Sequence, residues 1–308
     1  MNYLPKNLSF KEGIAYIGET SLVDVAKNYG TPLYVYDWEH LKGNIDAFTE
    51  AFGKDALFRY AAKAFISKAL VKELDDTGWG IDVVSGGERA TVQETVGTLE
   101  NTVFNGTFKR TDEIEYFIQN NGGHISIDNR YEIEMLEKAA SSLKKKQPVI
   151  MRINLDVGAE THPMVLTSGY DQQFGISISF AEEALNQIAS SKSLLFSGIH
   201  VHIGSQIKDP ERYKLAMSSC SEFMNSNLEK VEGEAVFNAG GGFFSPYAGE
   251  EVDHELTVYS QSIHDGIKEH WGEGYKIMIE PGRALVNNPG VILYTAGAIK
   301  ADRGDKPY

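Results

Sequence analysis

The alternation of short β-rich runs with helical patterns is the feature that most constrains the fold of this chain. It extends from about residue 56 to about residue 282 without a low-complexity linker. Eight strand-like runs are present: LFRYAAKA, IDVVS, TVFNG, HISID, VIMRINL, SGIHVHIG, AVFNAGG and KIMIEP. Eight parallel strands alternating with helices predict an α/β fold, the (β/α)8 TIM-type barrel, and an open doubly wound sheet is the competing fold.

The two ends of the chain lie outside this alternation. Residues 1–36 include the strand-like TPLYVY, a helix-like stretch runs from Asp37 to about Phe52, and a second β-rich pattern begins near residue 290. We predict an N-terminal segment (1–36) associated with a β domain, the barrel (37–283) and the start of a C-terminal β domain (284–308). Because the last pattern stops early, we expect the β domain formed from both chain ends to be incomplete.

Charge and composition exclude several classes of function. The net charge is −14, and the only dense basic run, residues 144–146, is predicted to close a helix, so no nucleic-acid partner is expected. Cys220 is the single cysteine and falls in a predicted helix, which indicates a structural thiol. No run approaches the roughly 18 apolar residues of a membrane span, and the N-terminus lacks the apolar segment of a signal peptide. No membrane partner and a cytoplasmic location are therefore expected.

Polar residues collect at the carboxyl ends of the predicted strands, where barrel enzymes carry their chemistry. Lys63 is the most unusual of them because it ends an apolar run, although a lysine in such a place more often simply reaches solvent. The whole set consists of Lys63, Asp82, Ser85, Asn105, Asp128, Arg152, Asn154, His200, His202, Ser205, Gly240, Gly241, Gly242, Glu280 and Arg283.

A glycine triplet, Gly240, Gly241 and Gly242, follows the seventh predicted strand. It would let backbone N–H groups approach an anion closely, but on its own it is explained as well by a tight turn. Arg283, one strand later, adds a bidentate donor. The loops after the last two strands of a barrel frequently bind phosphate, so the pair favours a phosphate site.

His200 and His202 are spaced as a pair that could point into the barrel as core histidines or supply half of a metal site. No cysteine or third histidine stands at a matching spacing, so we predict no metal. A histidine ring could also pack on a flat cofactor. Together with the phosphate site, Lys63, Glu280 and His202 describe a site for pyridoxal 5'-phosphate, with Lys63 bonding to the cofactor and Glu280 pairing with its ring nitrogen.

Ten short motifs carry a resemblance to a known family. In order they are TPLYVYD, YAAKA, GIDVVSGGE, VFNG, RIN, THP, FGIS, GIHVHIGSQI, NAGGGF and EPGRALV. In this order, over about residues 30–290, the chain resembles the fold type III pyridoxal-phosphate-dependent decarboxylases, whose barrel is alanine racemase-like. Within that family it is most similar to the diaminopimelate decarboxylases.

The resemblance implies roles for individual residues. It implies three catalytic residues, Lys63 bound to the cofactor, His202 stacked on its ring and Glu280 on the ring nitrogen. It also implies a cofactor-binding set of Lys63, Asp82, Arg152, His202, Ser205, Gly240, Gly241, Gly242, Glu280 and Arg283. Two departures are visible: Phe65 replaces the family's usual asparagine, and residues 161–175 only approximate its THPYISTG loop, which lies near the substrate.

The activity implied is decarboxylation of a basic or diamino acid, a small-molecule substrate that is most similar to meso-2,6-diaminopimelate, to give L-lysine and CO2 in lysine biosynthesis. Ornithine, arginine and carboxynorspermidine are alternative substrates, and a non-catalytic pyridoxal-phosphate-binding barrel is a further alternative. A racemase of this fold has arginine at the ring nitrogen, so Glu280 favours decarboxylation. The family also implies a homodimer for the full-length form, with a CES cysteine and a later tyrosine beyond the EPGR motif. We expect the chain without them to decarboxylate meso-2,6-diaminopimelate poorly or not at all.

Overall fold

The computed structural model describes residues 3–155, 173–251 and 254–298. The chain divides into two compact units. The first comprises Met1–Asp46, Ser245–Glu251 and Leu285–Tyr308, and the second comprises Ala47–Phe244 and Val252–Ala284. The domain boundaries predicted from the sequence stay a prediction.

The described residues form strands and helices in the following order along the chain. The strands are β1 (Leu8–Lys11), β2 (Ile14–Ile17), β3 (Thr20–Ser21), β4 (Leu33–Tyr36), β5 (Leu57–Ala61), β6 (Gly80–Val83), β7 (Thr102–Phe104), β8 (His124–Ile127), β9 (Gln147–Asn154), β10 (Ile176–Ser177), β11 (Leu194–His200), β12 (Ala235–Asn238), β13 (Tyr275–Ile279) and β14 (Gly290–Leu293). The α-helices are α1 (Leu22–Tyr29), α2 (Trp38–Phe52), α3 (Lys68–Asp76), α4 (Gly86–Val96), α5 (Thr111–Gln119), α6 (Arg130–Ser142), α7 (Ile178–Ser190), α8 (Glu211–Asn225), α9 (Leu256–Lys268) and α10 (Arg283–Val286).

The second unit is a closed parallel barrel. Its strands follow the order β5, β6, β7, β8, β9, β11, β12 and β13, and β13 pairs with β5 to close the ring. Each barrel strand overlaps one of the eight runs predicted from the sequence, so the predicted TIM-type fold is confirmed. Several of the helices between them begin at side-chain N-caps, such as Ser67, whose hydroxyl accepts from the Leu70 N–H.

The interior of the barrel changes from apolar to polar along the strands. Val103, Ile150, Val236 and Met278 pack together although they come from β7, β9, β12 and β13, so their side chains meet across the inside of the barrel. Side chains on one face of a strand recur every second residue. The next inward positions are therefore occupied by Asn105, Arg152, Asn238 and Glu280. This polar layer lies at the carboxyl ends of the strands, where barrel enzymes carry their active sites.

The first unit contains a sheet made from both ends of the chain. Strands β4 and β14 pair antiparallel, with Tyr36 opposite Gly290 and Leu33 opposite Leu293, as the fold class predicted from the sequence requires. A separate antiparallel sheet consists of β1, β2 and β3. The buried Asp37 carboxylate accepts hydrogen bonds from the backbone N–H groups of Asn7 and His40 at 2.9 and 3.1 Å, which fixes the start of α2.

The basic run at residues 144–146 does not close a helix, contrary to the prediction. Helix α6 ends at Ser142, and Lys144 has a left-handed backbone (φ 53°). The Nζ atom of Lys145 instead donates to the carbonyls of Ile118 and Gln119 at the end of α5, at 3.1 and 2.6 Å. The lysine thus satisfies the free carbonyls of a neighbouring helix rather than those of its own.

Two further findings concern the composition-based predictions. Cys220 lies in α8 and is fully buried, and burial raises the pKa of its thiol, which suits a structural role. Among the residues that the structure describes, no helix has the length and apolar character needed to cross a membrane.

Candidate active site

Glu280 lies at the centre of the polar layer, directly after β13. Its Oε1 atom accepts hydrogen bonds from the Nδ2 atoms of Asn105 and Asn238 at 2.8 and 2.7 Å. The Nε2 atom of His200 lies 3.3 Å from Oε2. Burial by itself raises the pKa of Glu280, but His200 and the two amide donors outweigh burial and hold this pKa well below its usual value. Glu280 is therefore a buried carboxylate that stays ionised.

Asp82 is a second buried carboxylate, and it shares the same amide. The Nδ2 atom of Asn105 donates to Asp82 Oδ1 at 2.7 Å as well as to Glu280. Burial, followed by the negative charge of Glu280, raises the pKa of Asp82 to about 8. Two neighbouring carboxyl groups with pKa values moved in opposite directions are typical of a catalytic site. Near neutral pH, Glu280 carries the charge and Asp82 carries a proton.

The raised pKa of Asp82 predicts a specific dependence of stability on pH. The folded protein keeps this proton up to about pH 8, whereas the unfolded chain releases it near the ordinary pKa of about 3.9. The contribution of Asp82 to the free energy of unfolding therefore falls as pH rises from about 4 to about 8. Asp82→Asn removes this contribution. In urea unfolding of the cofactor-free protein, the stability of Asp82→Asn relative to the unchanged protein should rise by up to about 1 kcal/mol per pH unit and level off above about pH 8. Parallel pH profiles for the two proteins would contradict this interpretation.

His202 lies in the loop after β11 rather than within the strand. Its Nδ1 atom accepts from the Gly241 N–H at 3.2 Å, which fixes the ring plane. Burial, together with the nearby charge of Lys63, lowers the pKa of His202 to about 3, so the ring is neutral. The ring faces the cavity described below, and a neutral flat ring is suited to packing on an aromatic ligand.

The glycine triplet packs behind this histidine. A Cβ atom at Gly241 would lie 2.2 Å from the Glu280 carbonyl oxygen, and one at Gly242 would lie 2.2 Å from the Gly204 carbonyl oxygen. Gly240 and Gly242 also have left-handed φ values of 68° and 94°. The Tyr213 hydroxyl donates to the Gly241 carbonyl at 2.9 Å and anchors the loop. Only glycine fits at these positions, because the loop lies directly against the backbone of the site.

A cavity of 650 Å³ opens at this rim of the barrel. Six residues of the predicted cofactor-binding set line this cavity: Lys63, Asp82, Arg152, His202, Ser205 and Glu280. The glycine triplet and Arg283 are not among its lining residues, and their predicted role in phosphate binding stays a prediction. Lys63 lies in a short 3-10 turn just after β5, and its side chain is exposed at the cavity.

Arg152 forms another part of the cavity wall. Its Nη1 atom lies 3.4 Å from Asp128 Oδ1, and its guanidinium lies 4.8 Å from the centre of the Phe174 ring. Asp128 Oδ1 also accepts from the Gly175 N–H at 3.1 Å. These contacts hold the end of the predicted substrate loop, of which residues 161–172 lie outside the described part of the structure.

Sequence reasoning missed several residues of this site. Asn238 holds Glu280, but its position two residues before the glycine triplet drew attention to the glycines instead. Asn105 was placed at the rim without a role, and His200 was left as a core histidine or half of a metal site. Ser126, whose hydroxyl lies 3.0 Å from His200 Nδ1, was not identified at all. The available signal was the two-residue period of the inward face, since Asn105, Asn238 and Glu280 each follow a buried apolar residue by two positions.

The fold and the cavity define a class of protein, the (β/α)8 barrel enzymes with reactive groups at the carboxyl ends of the strands. A family described as pyridoxal-dependent decarboxylase, pyridoxal binding domain, matches residues 39–287. The chain therefore belongs to the pyridoxal-dependent decarboxylases, as the sequence motifs predicted, and its cofactor is pyridoxal phosphate.

Relatives named diaminopimelate decarboxylase match nearly the whole chain. The Bacillus subtilis protein is 33% identical over 308 residues, covering 97% of this chain and 70% of its own length. The Zymomonas mobilis protein is 35% identical over 302 residues, covering 96% of this chain and 70% of its own length. The crystal structure of the M. jannaschii enzyme in complex with L-lysine has a TM-score of 0.88 at 28% identity, covering 97% of this chain and 71% of that one.

The residues present fit this cofactor. Two buried polar atoms that belong to cavity-lining residues, Asn105 Oδ1 and His200 Nε2, have no hydrogen-bond partner among the described residues. For His200 Nε2 the 3.3 Å approach to Glu280 is close enough for electrostatic attraction, but its direction does not complete a hydrogen bond. Unsatisfied buried polar atoms are costly, so a polar ligand in this cavity would stabilise the site.

Proposed function

We propose that the protein is a pyridoxal-phosphate-dependent decarboxylase that converts meso-2,6-diaminopimelate to L-lysine and CO2. The observation that carries the proposal is the ionised Glu280, held by two amides in a cavity that also contains Lys63. The relatives named diaminopimelate decarboxylase support the choice of substrate. A relative solved with L-lysine supports it further, since lysine is the product of this reaction.

The cofactor, when bound, supplies an electron sink for the electron pair left behind as CO2 departs. The chain must then provide an anion for the ring nitrogen, a flat surface and a proton. Glu280 Oε2 is the carboxylate oxygen with acceptor capacity left, because Oε1 already accepts from two amides. The neutral ring of His202 provides the flat surface. Lys63 is suited to hold the cofactor covalently and then to return a proton to the substrate carbon.

Arg152 is the cavity residue best suited to distinguish substrates. It is the only arginine among the described residues that line the cavity, and it is partly exposed there. Diaminopimelate carries one more carboxylate than lysine, ornithine or arginine, and a guanidinium can bind a carboxylate through two hydrogen bonds. A cation at this wall therefore favours the doubly carboxylated substrate.

The substrate is tested directly by product analysis. The full-length form loaded with pyridoxal phosphate should release CO2 from meso-diaminopimelate and form L-lysine, as measured by trapped CO2 and mass spectrometry. L-lysine, L-ornithine, L-arginine and carboxynorspermidine serve as competing substrates, and the activity on each should be at least about 100-fold lower, the scale of one lost charged contact in a buried site. The proposal fails if one of the competing substrates is turned over faster. If the loaded protein releases CO2 from none of them, the alternative of a non-catalytic barrel is favoured.

The homodimer and the cytoplasmic location implied by the resemblance stay predictions.

A further inference from the structure

Three buried side chains form a line across the polar layer of the barrel. Ser126 comes from β8, His200 from the end of β11, and Glu280 follows β13. The Ser126 hydroxyl lies 3.0 Å from His200 Nδ1, and His200 Nε2 lies 3.3 Å from Glu280 Oε2. All three are at least 94% buried, so water cannot readily replace either contact.

The charge of Glu280 selects one tautomer of His200. A neutral imidazole carries its proton on one nitrogen and a lone pair on the other. A lone pair on Nε2 would face an anionic oxygen at 3.3 Å inside the protein, which is repulsive. The Ser126 hydroxyl lies 3.0 Å from Nδ1 and can donate to a lone pair there. A proton on Nε2 attracts the Glu280 carboxylate, and a lone pair on Nδ1 can accept from the Ser126 hydroxyl, so this tautomer suits both neighbours.

The protonation state of His200 follows from the charges around it. Burial lowers the pKa of His200, and the cations Arg152 and Lys63 add to this effect, which outweighs the attraction of Glu280. The charged or titratable groups that interact with Glu280 come from several strands or the turns that follow them: Arg59, Asp82, His200 and His202. A neutral His200 leaves the negative charge of Glu280 free to act on a ligand.

We propose that His200 is a positioning residue for Glu280, held by the Ser126 hydroxyl as the neutral tautomer with its proton on Nε2. Asn105 and Asn238 fix Oε1 by hydrogen bonds, and the Nε2–H group of His200 attracts Oε2 electrostatically at 3.3 Å, which limits the rotation of the carboxylate. The inference rests on the proposed function only for its effect on turnover. The tautomer of His200 is a property of the cofactor-free protein and does not depend on the proposed function.

The first test observes the tautomer without any reaction. Nitrogen-15 NMR of histidine-labelled, cofactor-free protein near pH 7.5 distinguishes a protonated Nε2 from a protonated Nδ1 and from an imidazolium, and His200→Gln assigns the signal. We expect the Nε2–H form, and a larger share of the Nδ1–H form in Ser126→Ala, in which Glu280 alone favours the proton on Nε2. An Nδ1–H form or an imidazolium in the unchanged protein would overturn the proposal.

The second test measures the effect on the site. Ser126→Ala should lower kcat about 10-fold, the scale of one buried hydrogen bond, and should shift the absorption spectrum of the bound cofactor. His200→Leu should lower kcat more, and His200→Gln should recover part of the loss because its amide restores an N–H donor. Adding Ser126→Ala to His200→Gln should cause no further loss, since the serine acts through the histidine.

Ser221→Ala is the matched control. The Ser221 hydroxyl is as deeply buried, but it donates to the carbonyls of Ser218 and Gly266 between α8 and α9. We expect it to lower stability while kcat and the His200 signal stay unchanged. Equal losses of kcat in Ser126→Ala and Ser221→Ala would overturn the positioning role. If no substrate is decarboxylated, the proposed function fails, and the NMR result still decides the tautomer.

Discussion

Replacement of Lys63 by alanine is expected to abolish covalent attachment of pyridoxal phosphate and to lower turnover by about 10³-fold. Lys63 lines the 650 Å³ cavity together with Glu280 and His202. Borohydride reduction followed by intact-mass measurement should show one cofactor per chain in the unchanged protein and none in Lys63→Ala. Methylamine added in solution can replace the amine lost with Lys63, so it should restore part of the cofactor binding. The cofactor should still be removed by dialysis, because it is not attached to the chain.

Lys68→Ala is the matched control for this prediction. Lys68 stands five residues later at the start of α3, and its Nζ atom makes an exposed ion pair with Glu94 at 2.8 Å. Exposed pairs of this kind contribute little, so attachment and turnover should be unchanged. A reducible adduct that persists in Lys63→Ala would assign the covalent role to another lysine.

The barrel was predictable from the sequence because its signal is local. Each strand is a short apolar run, and helix α3 begins after Ser67, a residue type that favours the N-cap position. Lys63 and Glu280 were identified because each lies beside a strand end, the place where barrels carry reactive residues. These predictions needed the position of a residue along its own strand and nothing about its neighbours.

The contacts within the site were not predictable in the same way, because they depend on how the barrel closes. Asn105 precedes both Asn238 and Glu280 by more than a hundred residues in the sequence. The three side chains meet only because their strands share one barrel interior. Lys145 shows the same limit at the surface, where it satisfies carbonyls of α5 rather than those of the helix before it. A sequence pattern indicates which face a residue occupies but not which residue lies opposite.

Glu280→Gln is expected to retain the fold and the cofactor but to lower kcat by about 10²- to 10³-fold, the scale of one preorganised electrostatic contact worth about 3 to 4 kcal/mol. The neutral amide can no longer stabilise a proton on the ring nitrogen. Its oxygen can still accept from Asn105 and Asn238, but its NH2 group then points toward the Nε2–H group of His200, so two donors face each other. Glu94→Gln, at an exposed ion pair, should leave kcat unchanged.

A second measurement on Glu280→Gln separates the loss of charge from general damage to the site. The charge of Glu280 is one cause of the raised pKa of Asp82, after burial. Removing that charge should let Asp82 ionise below about pH 8, so the pH at which the relative stability of Asp82→Asn levels off should move down when it is measured in the Glu280→Gln background. General damage would lower kcat without moving this pH. A normal kcat in Glu280→Gln, or an unmoved Asp82 transition, would show that Glu280 does not act through its charge.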